Sequence, residues 1–270
     1  RQRQMCIRHR FKTDNFENIL GKAQDGYAIS KDELKDLFKT SGKYINDIAE
    51  VANELNESIH QDKVTFVKNR NINYTNQCYF KCGFCGFSKG PKSFDLKEKP
   101  YNLEPQEVVA RSVEAYKDGA SEVCLQGGIH PEYTGHFYLD LVQKIKSEVP
   151  DLHIHGFTPL EIWQGAETIN LSVEDYLTLL KEAGLNTLPG TAAEILDNRI
   201  REFLCPDKIT AEQWGYVMEV AHSLGIKSTA TIMFGHIDDI ESWSNHFELI
   251  RHIQKRTSAV SYTHLRAHET

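Results

Sequence analysis

The sequence predicts an α/β fold in which a parallel sheet curls into part of a (β/α) barrel behind an N-terminal helical leader. Three observations predict it. Short β-branched runs alternate with amphipathic helical runs five times from about residue 63 onward. The helical runs carry capping residues at their starts and glycines at their stops. No strand signal precedes residue 63. Repeated β-then-α units call for right-handed crossovers between parallel strands. A chain of 270 residues is long enough for such a sheet to curl.

The elements follow in order. Ser30-Lys31-Asp32-Glu33 is a capping box, with Leu34, Leu37 and Phe38 on one face behind it. Ile45, Ile48, Ala49 and Ala52 extend a second leader helix. Val64-Thr65-Phe66-Val67 reads as the first strand, running on through Asn71-Ile72-Asn73-Tyr74. A helix starts near Glu104, with Pro105 at its first position, Gly119 past its end, and Val109, Val113 and Tyr116 as its buried stripe. Glu122 to Leu125 is the second strand, ending in Gln126-Gly127-Gly128. A helix over 137–149 leads into a third strand over 151–157. Ser172 and Asp175 open the next helix, whose apolar face is Val173, Tyr176, Leu177 and Leu180 and whose stop is Gly184. Asn186 to Thr191 is a short fourth strand. Thr210 and Gln213 cap a helix lined by Trp214, Val217, Met218, Ala221 and Leu224. Lys227 to Phe234 is the fifth strand, and Trp243, Phe247, Ile250 and Ile253 mark the fifth helix.

Composition is that of an ordinary globular chain: 40% hydrophobic, 26% charged, formal net charge −7. An acidic balance gives no reason to expect nucleic acid or an anionic membrane as a partner. No apolar run approaches the ~18 residues of a membrane span and no signal peptide opens the chain. Three of the six cysteines are scattered and three clustered, which points to a reducing, cytoplasmic protein with one metal site rather than a disulfide framework.

The cluster is Cys78, Cys82 and Cys85, spaced C-x3-C-x2-C, with the aromatic Phe84 just before the third. Structural zinc asks for four ligands, commonly as paired C-x2-C; here only Cys124 is available as a fourth, and it sits in mid-strand. Three unrelated thiols are the other plain alternative. Three thiolates on one loop suit three irons of a 4Fe–4S cluster, which normally takes four cysteines. The nearest histidines, His60 and His130, are remote in sequence, so the fourth iron would stay open to an outside ligand, as binding and cleavage of S-adenosylmethionine (SAM) require. The loop also follows a strand, on the face where barrel enzymes place their sites.

Other residues gather at strand ends. Gly127 and Gly128 let backbone approach a ligand closely. Glu194, in Leu-Pro-Gly-Thr-Ala-Ala-Glu, offers an acceptor to a cationic amine or ribose hydroxyls, or simply caps a helix start. His153 and His155 share a strand face, for substrate hydrogen bonding, proton transfer or a structural role. His130 and His236 lie just past the second and fifth strands; His222, His246 and His252 lie on helices and are expected at the surface. Asn69, Asn71 and Asn73 alternate along the first strand, and amides facing a lumen would suit a polyhydroxylated or uracil-like substrate.

The cysteine loop resembles the signature of the radical SAM superfamily. In that superfamily a Gly-Gly-Glu segment contacts the SAM amino group; Ile129 stands here in the acidic position. The stretches Asn-Arg-Asn-Ile-Asn-Tyr-Thr-Asn-Gln-Cys, Val-Cys-Leu-Gln-Gly-Gly-Ile-His-Pro, His-Ile-His-Gly-Phe-Thr-Pro, Leu-Pro-Gly-Thr-Ala-Ala-Glu-Ile-Leu-Asp and Met-Phe-Gly-His narrow the match. Over about residues 20 to 257 they resemble the tyrosine-using transferases of deazaflavin (Fo, coenzyme F420) synthesis. The resemblance implies that a reduced cluster splits SAM to a deoxyadenosyl radical. That radical would attack L-tyrosine, and a 4-hydroxybenzyl fragment would join 5-amino-6-(D-ribitylamino)uracil. It implies Cys78, Cys82 and Cys85 as cluster ligands, and Phe84, Gly127, Gly128 and Glu194 as cofactor-side residues. Asn71, Asn73, His130 and His236 become substrate-side candidates, and His153 and His155 catalytic ones. The implied partners are a second radical SAM subunit and an electron donor. A menaquinone-pathway (futalosine-type) radical SAM synthase and a non-catalytic Fe–S or zinc module are the alternatives.

Two departures stand out. Phe234 replaces the family's tyrosine. The resemblance stops near Thr257, where the family goes on to a sixth strand. The expected division is therefore a helical segment (1–62), a partial barrel of the radical SAM type with five β/α units (63–257), and a non-native tail (258–270). Without a sixth strand the fifth becomes an open edge, an aggregation hazard that predicts a poorly stable or inactive chain.

Overall fold

The computed structural model describes residues 15–42, 44–61, 63–89 and 99–267, the last eight by their backbone alone. Two compact units divide the chain: residues up to Phe66 with Asp239–Glu248, and Val67–Asp238 with the chain from Leu249 onward.

The first unit holds α1 (residues 15–24), α2 (Lys31–Phe38), α3 (Tyr44–His60) and the first half of α10 (Ile240–Thr257). Ser30 caps α2 as the sequence predicts, accepting the Glu33 N–H while the Glu33 carboxylate accepts that of Ser30. Phe16, Leu20 and Val51 form a small core. Phe38 meets Trp243 edge-on at 5.3 Å between ring centroids, and Glu241 pairs with Lys31 and Lys35.

The second unit is a parallel sheet with helical crossovers. Its elements are β1 (Asn69–Asn73), α4 (Pro105–Lys117), β2 (Glu122–Gln126), α5 (Gly135–Glu148), β3 (His153–Gly156), α6 (Pro159–Thr168), α7 (Val173–Ala183), β4 (Thr187–Leu188), α8 (Asn198–Leu204), α9 (Ala211–Ser223), β5 (Lys227–Phe234) and β6 (Val260–Ala267). The strand order is β1-β2-β3-β4-β5-β6, all parallel, and β6 does not return to pair with β1. This is the partial barrel expected from the β/α alternation.

Helix caps hold where the sequence puts them. Ser172 accepts from the Asp175 N–H, Thr210 forms a capping box with Gln213, and Gly184 (φ 111°) ends α7 in the left-handed region that favours glycine. Helix-facing residues of the strands, among them Ile72, Val123, Leu125 and Ile154, join Leu141, Ile145, Tyr176 and Leu180 in the main core. A second core gathers Trp214, Met218, Ile250 and Ile253, with Cys78 and Cys82 packed against its edge.

The structure corrects five expectations. A sixth strand is present: β6 runs along β5 from Ser228 to Phe234, with an irregularity between Ser228 and Ala230. Its β-prone Val-Ser-Tyr-Thr backbone satisfies the N–H and C=O groups that β5 would otherwise expose, so the open-edge argument for low stability loses its premise. Val64–Val67 is not strand; Val64 and Phe66 are exposed and β1 starts at Asn69, where partners on β2 begin. The buried stripe of α4 is Val108, Ser112 and Ala115, with Tyr116 turned outward, because small residues let the helix lie close to the sheet. The sequence reading passed over α6, although its Thr158–Glu161 capping box is a clear start signal. Finally, His222 and His246 are buried, while His252 is exposed as expected. His222 bridges Thr257 and Ser228 at 2.8 Å each, and burial pushes its imidazole down to about 4. Among the described residues no helix is long and apolar enough to cross a membrane.

Candidate active site

Period-2 alternation gives the concave side of the sheet its character. While Val123, Leu125 and Ile154 turn to the helices, every second residue turns to a cavity of about 490 Å³. Strand register arranges the residues of this face in tiers, to which His153 and Thr187 belong although they do not line the cavity. Asn69, Glu122 and His153 lie level; Asn71, Cys124, His155 and Thr187 form the next row; Asn73 and Gln126 form the third. Gly127, Pro189, Thr191, Thr229, Thr231 and Phe87 complete the lining. Hydrogen bonds tie the tiers across strands. Asn69 donates to Glu122 at 3.4 Å, and Thr191 donates to the Gln126 side-chain oxygen at 3.0 Å. His153 Nε2 and His155 Nδ1 both meet Thr187 Oγ1, at 2.8 and 2.7 Å.

The structure thus brings Asn71, Asn73, Gly127 and His155 to one cavity, as expected of a site. His130 and His236 are placed elsewhere. His130 is buried beside the Tyr133 ring, accepting the Glu132 N–H, and His236 faces Phe84 at 5.7 Å between rings.

The cysteine loop follows β1 on the C-terminal side of the sheet. Cys78, Cys82 and Cys85 are half-buried thiols. The loop is pinned by Gly83 N–H to Leu204 O at 2.8 Å and Tyr79 N–H to Ile129 O at 3.2 Å. The Ser88 N–H points at Cys85 Sγ, 3.3 Å away, the kind of donor that steadies a cluster thiolate. Burial pushes the Cys82 thiol up to about 11, against the nearby Lys208 charge. Among the described residues no three His, Cys, Asp or Glu side chains converge on one point as a single-ion cage does. A cubane is held by thiolates on separate irons, so the donor set and its half-open position fit that group.

The glycine pair fits the same reading. A Cβ on Gly128 would drive into Gln77 O and lie 3.0 Å from Cys78 Cβ, and one on Gly127 would enter the Tyr74 ring. Gly128→Ala is therefore expected to displace Cys78 and cut iron loading at least severalfold with the helical circular dichroism retained; normal loading would contradict it.

Two buried acids frame the site. Glu194 (φ 41°) meets Lys208 Nζ at 2.5 Å, and Lys208 sits 5.5 Å from the Phe84 ring centre. Burial alone would raise the Glu194 carboxyl, but the Lys208 and Arg201 charges hold it below the usual range. Arg201, itself buried, donates to the carbonyls of Ala192, Ala193, Ile195 and Ile209. Glu161, which sequence reading missed, is fully buried; it accepts from Tyr74 O–H, Gly127 N–H and Thr158 N–H. It links the start of α6 to the glycine pair. Burial pushes its carboxyl up to about 8, against the pull of the Thr158 and Gly127 N–H groups and the Lys208 charge.

Between about pH 4.5 and 8 the folded chain then holds a Glu161 proton that the unfolded chain has lost, so stability falls as pH rises through that window, by up to about 1.4 kcal/mol per pH unit. Glu161→Gln is expected to flatten that part of the slope in urea melts, at a constant cost because its amide would face the Thr158 N–H. An unchanged slope would count against the raised carboxyl.

Comparison with known proteins places these observations. Residues 72–250 match the radical SAM superfamily. The chain is 45% identical over 210 residues to the 5-amino-6-(D-ribitylamino)uracil–L-tyrosine 4-hydroxyphenyl transferase of Methanopyrus kandleri, covering 78% of this chain and 56% of that relative. It is 40% identical over 248 residues to the FO synthase of Streptomyces coelicolor, 92% of this chain and 28% of that one. The chain therefore spans little more than half of the first relative and under a third of the second. Among solved structures, the FeFe-hydrogenase maturase HydG from Carboxydothermus hydrogenoformans superposes with a TM-score of 0.71 at 17% identity, over 100% of this chain and 61% of that one, which shows a shared fold.

Proposed function

The chain belongs to the radical SAM superfamily, whose enzymes use a 4Fe–4S cluster and SAM, and from that premise we propose that the protein joins the 4-hydroxybenzyl fragment of L-tyrosine to 5-amino-6-(D-ribitylamino)uracil. The observation that carries the reading is the 45% identity to a relative of that activity. The cavity supports it: three tiers of amide, hydroxyl and imidazole groups suit a substrate with a uracil ring and a polyol chain.

Held at the cysteine loop, the cluster with SAM would supply hydrogen-atom abstraction, the step that side chains alone do not perform. The chain's own residues bind, orient and shield. Cys78, Cys82 and Cys85 would hold the cluster. Gly127 and Gly128 would bring backbone against SAM, with the Glu194–Lys208 pair and Phe84 on the cofactor side. Asn71, Asn73, Gln126 and Thr191 offer donors and acceptors to the aminouracil and its hydroxyls. Phe87 and Pro189 provide apolar wall that keeps water from reactive species. A second radical SAM subunit would carry out ring closure to the deazaflavin, and an electron donor would supply the cluster's reducing electron.

Anaerobic reconstitution with iron, sulfide and reductant, followed by SAM, tyrosine and the ribitylaminouracil, tests this. Deoxyadenosine together with a hydroxybenzyl adduct of the uracil, read by mass, is the expected result; absence of both overturns it.

A further inference from the structure

We infer that His153, Thr187 and His155 form a proton relay that carries protons from the solvent side of the sheet to the cavity and sets the acid–base state of His155. The argument starts from one hydroxyl. Thr187 Oγ1 lies 2.8 Å from His153 Nε2 and 2.7 Å from His155 Nδ1. A hydroxyl has a single proton to donate, so it donates to one imidazole and accepts from the other. With both rings neutral, only two arrangements satisfy all three groups. In the first, His153 Nε2–H donates to Thr187, whose proton goes to His155 Nδ1, leaving the proton of His155 on Nε2. In the second, His155 Nδ1–H donates to Thr187, whose proton goes to His153 Nε2, leaving His155 Nε2 a lone pair.

Two protons shifted along the line, together with one proton taken up at His153 Nδ1 and one released at His155 Nε2, convert one arrangement into the other with no change of charge. His155 Nε2 is thereby switched between donor and acceptor. When a proton enters at His153 Nδ1, its Nε2 proton passes to Thr187, the Thr187 proton passes to His155 Nδ1, and His155 releases its Nε2 proton to the ligand. Each of the three residues gains one proton and loses one.

The surroundings fit a conduit. The His153 side chain is 38% exposed, while His155 is only 7% exposed and lines the cavity. One end therefore reaches water and the other reaches the ligand space. Facing His153 are Glu122 on β2, 3.7 Å from Nε2, and the Lys146 charge on α5. Beside His155 in register lies Cys124. Burial and the Lys146 charge hold the His153 imidazole below its ordinary range, which favours the neutral ring that both arrangements require. Strand geometry supplies the alignment: residues two apart on β3 share a face, and β4 sets Thr187 directly opposite His155.

The proposal rests on the reading of the cavity as a substrate site, but its main test needs neither cofactor nor substrate. Nitrogen-15 NMR of the imidazoles in the unloaded protein is expected to show complementary tautomers at His153 and His155, and a titration of each that is perturbed by the other. Thr187→Val is expected to decouple the titrations, and Thr187→Ser to restore coupling. Non-complementary tautomers in the unsubstituted protein, or Thr187→Val spectra identical to it, would overturn the relay even if Thr187→Val proved unstable. In the reconstituted reaction Thr187→Val should lower adduct formation about 100-fold with Thr187→Ser recovering most of it. A reaction that yields no adduct from the unsubstituted protein removes the substrate assignment and leaves the NMR test of the relay in force.

Discussion

Cys82→Ala is expected to lose its cluster and, with it, SAM cleavage down to background. Two thiolates can hold only two corners of a cubane, and a half-ligated cluster falls apart under chelator or air. The environment of Cys82 makes replacement difficult: the side chain packs at the edge of the core around Trp214 and Met218, and no described carboxylate or imidazole converges with the other two cysteines to take its place. Cys205→Ala is the matched control. Cys205 is buried at the end of α8, outside the C-x3-C-x2-C loop, so that variant should keep iron and activity. Iron and sulfide quantitation beside a deoxyadenosine assay measures both. Wild-type iron and SAM cleavage in Cys82→Ala would remove the cluster from this loop.

The second large effect is on stability. Arg201→Met should lower the unfolding free energy by about 4 kcal/mol, because hydrogen bonds from a charged donor are worth roughly 1.5–3 kcal/mol each and the carbonyls left behind stay buried. The guanidinium serves the Ala192, Ala193, Ile195 and Ile209 carbonyls, three of them in a stretch where Ala192 (φ 64°) and Glu194 (φ 41°) occupy the left-handed region. Two non-glycine residues in that conformation are held against their preference. Arg201 is what holds them, and Lys at this position lacks the forked donors to do the same. A fall in melting temperature of roughly 10 °C is expected for a unit of this size. A shift within a degree or two would show that the loop is held by other means.

Much of this was legible in the sequence because it follows from local rules. Caps at Ser30, Ser172 and Thr210, the stop at Gly184 and the bounds of β5 all come from short-range chemistry. The cysteine spacing and the alternate asparagines of β1 likewise announce the loop and the lumen face. What stayed hidden depends on register and long-range pairing. Nothing in one sequence says that Thr187 stands opposite His155, because β4 is two residues long and its alignment is set by both neighbours. Glu161 reads as a helix-start acid until Tyr74 and Gly127, far off in the chain, close around it. The buried His222 and His246 sit on helices whose stripes look polar at those positions. His130 and His236 fell short of the cavity because lying past a strand end does not fix the direction in which a loop turns. The sixth strand escaped because its sequence departs from the family pattern although its backbone still pairs.

Strand order has a temporal consequence. Each of the six strands adds beside the one made just before it, with no strand left waiting for a later neighbour to slot between. A chain leaving the ribosome amino end first can therefore build this sheet by accretion, laying down β1, β2 and β3 in turn as each crossover helix emerges. The cysteine loop belongs to the first stage of that growth, and β4 and β5, which carry the far wall of the cavity, to a later one.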